Sequence, residues 1–262
     1  MFGFINGFLK RSQRERFRFS KFPSHWLAIL QANVPLYTRL STSDRKQLEW
    51  KVQAFLAEKR FEGCGGLTIT DEMTVTIAGH ACLLLLHRDT NFYPGLYSIV
   101  LYPSAFLVPV KHNFDDAFGI VHEGVDVLCG EAWSTGALVL SWDEVCQASL
   151  DDRDGTNVTL HEFAHLLDME SGEADGTPIL KNHKRHMSWV TVFEKEFQRH
   201  CRVTRRGRST VLDEYGAEHP AEFFAVATEA FFENSVALKQ QHPELYNEIK
   251  GYYQQDPVTW LL

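Results

Sequence analysis

The segment TNVTLHEFAHLLDME, residues 156–170, places His161 and His165 four positions apart and sets Glu162 directly after the first. On a helix, residues four apart share one face, so both imidazoles can converge on a single ion. The residue types suit metal-assisted hydrolysis. Neutral imidazoles hold Zn2+, the ion acidifies its water toward neutral pH, and the carboxylate takes the proton as that water attacks a polarised carbonyl. An amphipathic helix that merely carries two histidines shows the same pattern, so a third ligand is required.

A metzincin would need Gly at 168 and His at 171, where this chain has Asp168 and Ser171, and that class is excluded. A glutamate from a second helix is the remaining common solution. The stretch EHPAEFFAVATEAFFEN, 218–234, supplies candidates: Pro220 suits a first helical position and Glu222 follows on its first turn. Glu229 lies seven residues on and roughly on the same face, so spacing leaves Glu222 and Glu229 both open. Glu218 and Glu233 are further carboxylates of the same stretch. Asp168 could accept the spare N–H of a ligand histidine, or bond locally near the helix end.

These residues need elements to hold them. Asn157, or Asp154 before Gly155, can cap the histidine helix, and Leu160, Phe163, Ala164 and Leu167 are apolar enough to bury it. From Pro23 to about Phe61 the pattern is helical, with Leu48, Val52, Phe55 and Leu56 recurring behind a Ser/Thr/Asp start signal. LTIT, 67–70, reads as a short strand. Asp71 could cap the apolar helix DEMTVTIAGHACLLLLHR. YPGLYSIVLYPSAFLVPV and GALVLSW have the β-branched and aromatic content of strands. Later helices are expected around SWVTVFEKEFQRH, from Pro220, and around PELYNEIKGYYQQ. This order predicts an α+β fold. The strand ALVLSW, 137–142, is a candidate for the sheet edge that takes up extended peptide beside the metal.

Of the 262 residues, 44% are hydrophobic and 23% charged, an ordinary globular composition. The formal net charge of -8 works against phosphate backbones, so no direct nucleic-acid partner is expected. The short basic stretch RHCRVTRRGRS, 199–209, reads as a solvated loop. Cys64, Cys82, Cys129, Cys146 and Cys201 form no CxxC pair and are odd in number, which points to reduced thiols in a reducing compartment. The N-terminal run MFGFINGFLKRSQRERFRF begins apolar and turns basic, the reverse of a secretory signal, and no apolar run approaches a membrane span. The expected location is the cytoplasm.

NVTLHEFAHLLDMESG, DEYGAEHPAEFFAVATEAFF, YPSAFLV, GEAWSTGALVLSWDEV and YYQQDP together resemble the Mlc titration factor A family of bacterial zinc metallopeptidases. The resemblance runs from about Trp26 to Pro257. It implies a glutamate-zincin: a zincin-like peptidase domain over 67–262, with an N-terminal helical region over 1–66 packed on it. It implies Zn2+ held by His161, His165 and Glu222, with Glu162 as general base. Glu229 is then a support for a ligand or, by preference, a helix-surface charge. Tyr215 matches a tyrosine that the family places near the metal, where a phenol could donate to a developing oxyanion. His122, in GIVHEGVDV, matches a further zinc-side histidine and could fill the position that catalysis needs open.

The activity so implied is aminopeptidase-like hydrolysis of short peptides, together with binding of an Mlc-type glucose repressor. The rival expectation is a non-catalytic regulatory protein that titrates a transcriptional repressor and whose zinc site is structural or latent.

Overall fold

The computed structural model describes residues 14–88, 91–104, 106–109, 125–128, 130–132, 136–150 and 155–261. His122 and Cys129 lie outside the described residues, as does the N-terminal run before Arg14. In chain order the elements are helices α1 (Ser24–Asn33), α2 (Pro35–Arg39) and α3 (Thr42–Glu58), strand β1 (Arg60–Gly63), helix α4 (Asp71–Leu83), then strands β2 (Ser98–Tyr102), β3 (Phe106–Pro109), β4 (Val125–Leu128), β5 (Gly130–Ala132) and β6 (Ala137–Ser141). Helices α5 (Trp142–Leu150), α6 (Val158–Asp168), α7 (His183–Thr204), α8 (Pro220–Glu233), α9 (Ser235–Gln241) and α10 (Pro243–Tyr253) follow. The fold is α+β, as the sequence predicts.

Four strands form a sheet in the order β1-β2-β6-β5, with β5 antiparallel to β6 and the other pairings parallel; β3 and β4 make a separate antiparallel pair. Alternate residues of β2 and β6 are buried, and the register sets Ile99 beside Leu138 and Leu101 beside Leu140. Those four side chains form the sheet's contribution to the core, because successive strand residues point to opposite faces.

Two expectations are corrected here. The segment 67–70 is not a strand; β1 comes earlier, at Arg60–Gly63. Thr70 is instead the cap of α4, its hydroxyl accepting the Met73 N–H, so the chain ahead of α4 is committed to a helix start and Asp71 is already helical. The strand at 137–141 is not an edge either. β6 is paired on both sides, and among the described residues the edge next to the histidine helix is β5, which lies against α6. Side-chain pattern marks a strand as half-buried but does not encode its place in the order.

Helix α7 also runs further than expected, through Thr204, so the first part of the basic stretch is helix rather than loop. Its apolar face, Trp189 and Phe193, stacks ring on ring at 3.9 Å and meets Phe224 of α8. Helix α4 is buried from Val75 to Leu83, and a Cβ on its Gly79 would stand 2.8 Å from both Leu30 of α1 and Val34, the residue that caps α1. One hydrophobic cluster runs from Leu30 through Phe55, Leu101 and Phe163 to Tyr253, joining the early helices, the sheet and the late helices. Cys64, Cys82, Cys146 and Cys201 are all free thiols. No helix among the described residues is long and apolar enough to cross a membrane.

Candidate metal centre

Asn157 caps α6: its side-chain oxygen accepts the Leu160 N–H at 3.0 Å. The cap fixes which way the first turn faces. Leu160, Phe163, Ala164 and Leu167 are fully buried, and Phe163 meets Tyr93 and Phe55 edge to face with centroids 4.8 and 5.8 Å away. That anchored face turns His161 and His165 toward α8. There His219 caps the helix through its ring nitrogen, Pro220 takes the first position and Glu222 sits on the first turn.

The result is a triangle of ligand-type atoms. His161 Nε2 lies 3.0 Å from Glu222 Oε2, His165 Nε2 lies 3.2 Å from the same oxygen, and the two nitrogens are 3.1 Å apart. Donors at about 2.0–2.2 Å from a tetrahedral ion stand about 3.3–3.6 Å from one another, slightly wider than this ion-free triangle. The three residues therefore fit one divalent ion, and among the described residues they are the group able to hold one. The side chains of His161, His165 and Glu222 keep 14%, 13% and 21% of their surface, so the triangle opens to solvent on one side.

The electrostatics follow from burial and mutual contact. Burial pushes the Glu222 carboxyl up, but hydrogen bonds from His161 and His165 outweigh it and hold the group down at about 2. His161 is pushed down by burial, yet its contacts with Glu222 and Glu229 carry it up to about 10 in the ion-free chain. Glu162, one position on, is buried and pushed up to about 7, with both histidines opposing the shift. A carboxyl near 7 can both take and release a proton at physiological pH.

Tyr215 stands beside this triangle, its ring 6.0 Å from that of His161 and its side chain half exposed. A short 3-10 turn, Glu214–Ala217, presents it, opened by Asp213, whose carboxylate accepts the Tyr215 N–H at 2.8 Å.

Asp168 takes the second of its two expected roles, and Glu229 departs from the preferred one. Asp168 does not bond a histidine; its Oδ2 accepts the Gly176 N–H at 2.7 Å, because the end of α6 points the side chain into the loop that follows. Glu229 is not a surface charge. It is buried, with Oε1 2.7 Å from His161 Nδ1 and Oε2 accepting the Asn157 N–H. Glu233 accepts the Asn157 side-chain amide at 2.8 Å. A signal for both was present: α8 is apolar on nearly every other position, and carboxylates on a helix buried all round must find partners. Glu218 is exposed on the turn before α8.

Two helices crossing at a His/His/Glu triangle, with an acid next to the first histidine, define a metallopeptidase-type site, and residues 9–254 match the family described as glucose-regulated metallo-peptidase M90. The chain belongs to that family, and with it to the Mlc titration factor A group. It is 32% identical over 244 residues to Mlc titration factor A of Pectobacterium atrosepticum, covering 90% of this chain and 88% of that protein. The counterpart of Yersinia pestis is also 32% identical, over 87% of this chain and 84% of its own. An uncharacterized protein of Synechocystis sp. is 40% identical over 237 residues, 90% of this chain and 86% of that one.

Proposed function

We propose that the protein is a zinc-dependent peptidase of aminopeptidase-like specificity, with a zincin-like fold and the site built on His161, His165 and Glu222. The observation that carries this reading is the convergence of those three donor atoms beside a buried carboxyl, Glu162. A divalent ion bound there supplies Lewis-acid polarisation of a carbonyl and a lowered pKa for water. Glu162 takes a proton from the attacking water and returns it to the leaving amine. Tyr215 donates its phenol hydrogen to the carbonyl oxygen as charge gathers on it. The outer side of β5 offers its backbone for an extended peptide, laying the scissile bond along α6. His122, which lies outside the described residues, stays in this reading as a zinc-side donor of a resting form, displaced by a partner or by substrate. Zinc is favoured by the donor set, although two imidazoles and a carboxylate also accept other divalent ions.

The N-terminal helical region over 1–66 and the peptidase domain over 67–262 are read as one body, since their side chains share a core. Free thiols at four cysteines support a reducing cytoplasm. Relatives named Mlc titration factor A support a second role, binding of an Mlc-type repressor.

The competing reading is a non-catalytic titration factor with a structural or latent metal site. Glu162 favours the enzyme, because a structural site has no use for a proton-transfer group beside its ligands. The test is hydrolysis of a panel of chromogenic aminoacyl substrates by wild type and Glu162→Gln, with zinc content measured in both. Zinc in both and turnover in wild type alone is the expected result. Zinc in both and turnover in neither selects the titration factor.

A further inference from the structure

Glu229 uses both oxygens, and on two different parts of the same helix. Oε1 meets His161 Nδ1 at 2.7 Å, and Oε2 takes the backbone N–H of Asn157, the residue that caps α6. Glu233 then holds the Asn157 amide at 2.8 Å, and the Asn157 oxygen accepts from Leu160. Glu229, Asn157 and Glu233 are all at least nine-tenths buried. On α8, Glu222, Glu229 and Glu233 fall within about 40° of one another around the axis, since seven residues are about two turns and four about one. Three carboxylates in a row thus face one helix of the fold: the first at the ligand triangle, the second behind it, the third at the cap.

We propose that Glu229 is a positioning residue that locks His161 with its proton on Nδ1 and its lone pair on Nε2, and that ties this setting to the cap of α6. The inference rests on the metal reading above and adds a role for residues outside the triangle. When an ion takes the place of the second ring proton the imidazole is neutral, with one N–H and one lone pair, so the nitrogen that gives its hydrogen to Glu229 leaves the other to ligate. The ring cannot turn over without opposing a lone pair to a carboxylate. Sliding of the helix along its axis is opposed as well, because the same carboxylate holds its cap residue.

An amide in place of Glu229 cannot reproduce this. Glutamine accepts at one atom and donates at the other, so either the His161 N–H or the Asn157 N–H is left facing a second donor. Glutamine in place of Glu233 still offers an oxygen to the Asn157 amide.

The experiment uses the full chain as wild type, Glu229→Gln and Glu233→Gln. Zinc affinity is measured by chelator competition, alongside far-UV circular dichroism and thermal melts of the ion-free proteins. The expected result is zinc binding weakened about 10–100-fold by Glu229→Gln and by less than about threefold by Glu233→Gln, with native ellipticity in both. Glu229→Gln within about threefold of wild type, or both variants equally weakened, overturns the proposal. Ring 15N spectra of zinc-loaded wild type give a second reading that does not require the variant to fold. They should show a protonated Nδ1 at His161, and zinc on Nδ1 overturns the lock. A wild-type chain that binds no zinc removes the metal reading itself, a result distinct from either of these.

Discussion

His161 Nε2 and His165 Nε2 face each other at 3.1 Å, with Glu222 Oε2 closing the triangle at 3.0 and 3.2 Å. Two imidazole lone pairs do not approach so closely unless a proton or a cation lies between them. The protein sets up this convergence from both helices. Asn157 fixes the start of α6 and His219 the start of α8, so the three donor atoms come from two capped helices rather than from loops, with Glu222 on the first turn of α8 and His165 on the last turn of α6.

Tyr215→Phe removes a hydroxyl and leaves the ring that stands beside His161. If the phenol donates to the developing oxyanion, kcat falls about 10²-fold while zinc content and KM move little. Steady-state kinetics with one aminoacyl substrate decides it. An unchanged kcat would leave the ring a packing role only.

Gly176 joins three helices. Its N–H reaches Asp168 at the end of α6, its carbonyl accepts from Trp189 of α7, and an added Cβ would stand 2.5 Å from the carbonyl oxygen of Pro220, the first residue of α8. Its φ of +79° is also unfavourable for any L side chain. Gly176→Ala is expected to destabilise the fold by about 1–3 kcal/mol and to weaken zinc binding, since Pro220 cannot shift without moving Glu222. Thermal melts and chelator competition on the same variant test both halves. Loss of stability with zinc affinity intact would separate the loop from the site.

His80 lies buried in the last turn of α4, and burial lowers its pKa from 6.5 to about 4 although its Nδ1 faces the Thr76 carbonyl. The folded state keeps the ring neutral where the unfolded chain would protonate it. Its stability contribution is therefore complete above pH 6.5 and is lost as pH falls toward 4. Wild type should lose about 2 kcal/mol more than His80→Gln between pH 7.5 and pH 5 in urea titrations. Parallel losses in the two proteins would contradict the assignment.

What the sequence revealed and concealed divides on physical lines. The cap at Asn157, the apolar face of Leu160, Phe163 and Leu167, and the Pro220 helix start are local, so they could be read from neighbours in the chain. The choice between Glu222 and Glu229 was not local. Both face α6, and the crossing of the two helices decides that Glu222 meets the Nε2 atoms while Glu229 meets Nδ1 behind them. Asp168 bonding Gly176 depends on a loop path that no spacing encodes. The position of β6 inside the sheet depends on β5 returning antiparallel along it.

The proposed peptidase activity requires His161, His165 and Glu222 to hold one ion together. The most direct test is metal content by mass spectrometry on protein purified without added metal, for wild type and Glu222→Gln. One equivalent of zinc in wild type, and far less in Glu222→Gln while its circular dichroism stays native, is the predicted result. No zinc in wild type, or equal zinc in both, would contradict the ligand set.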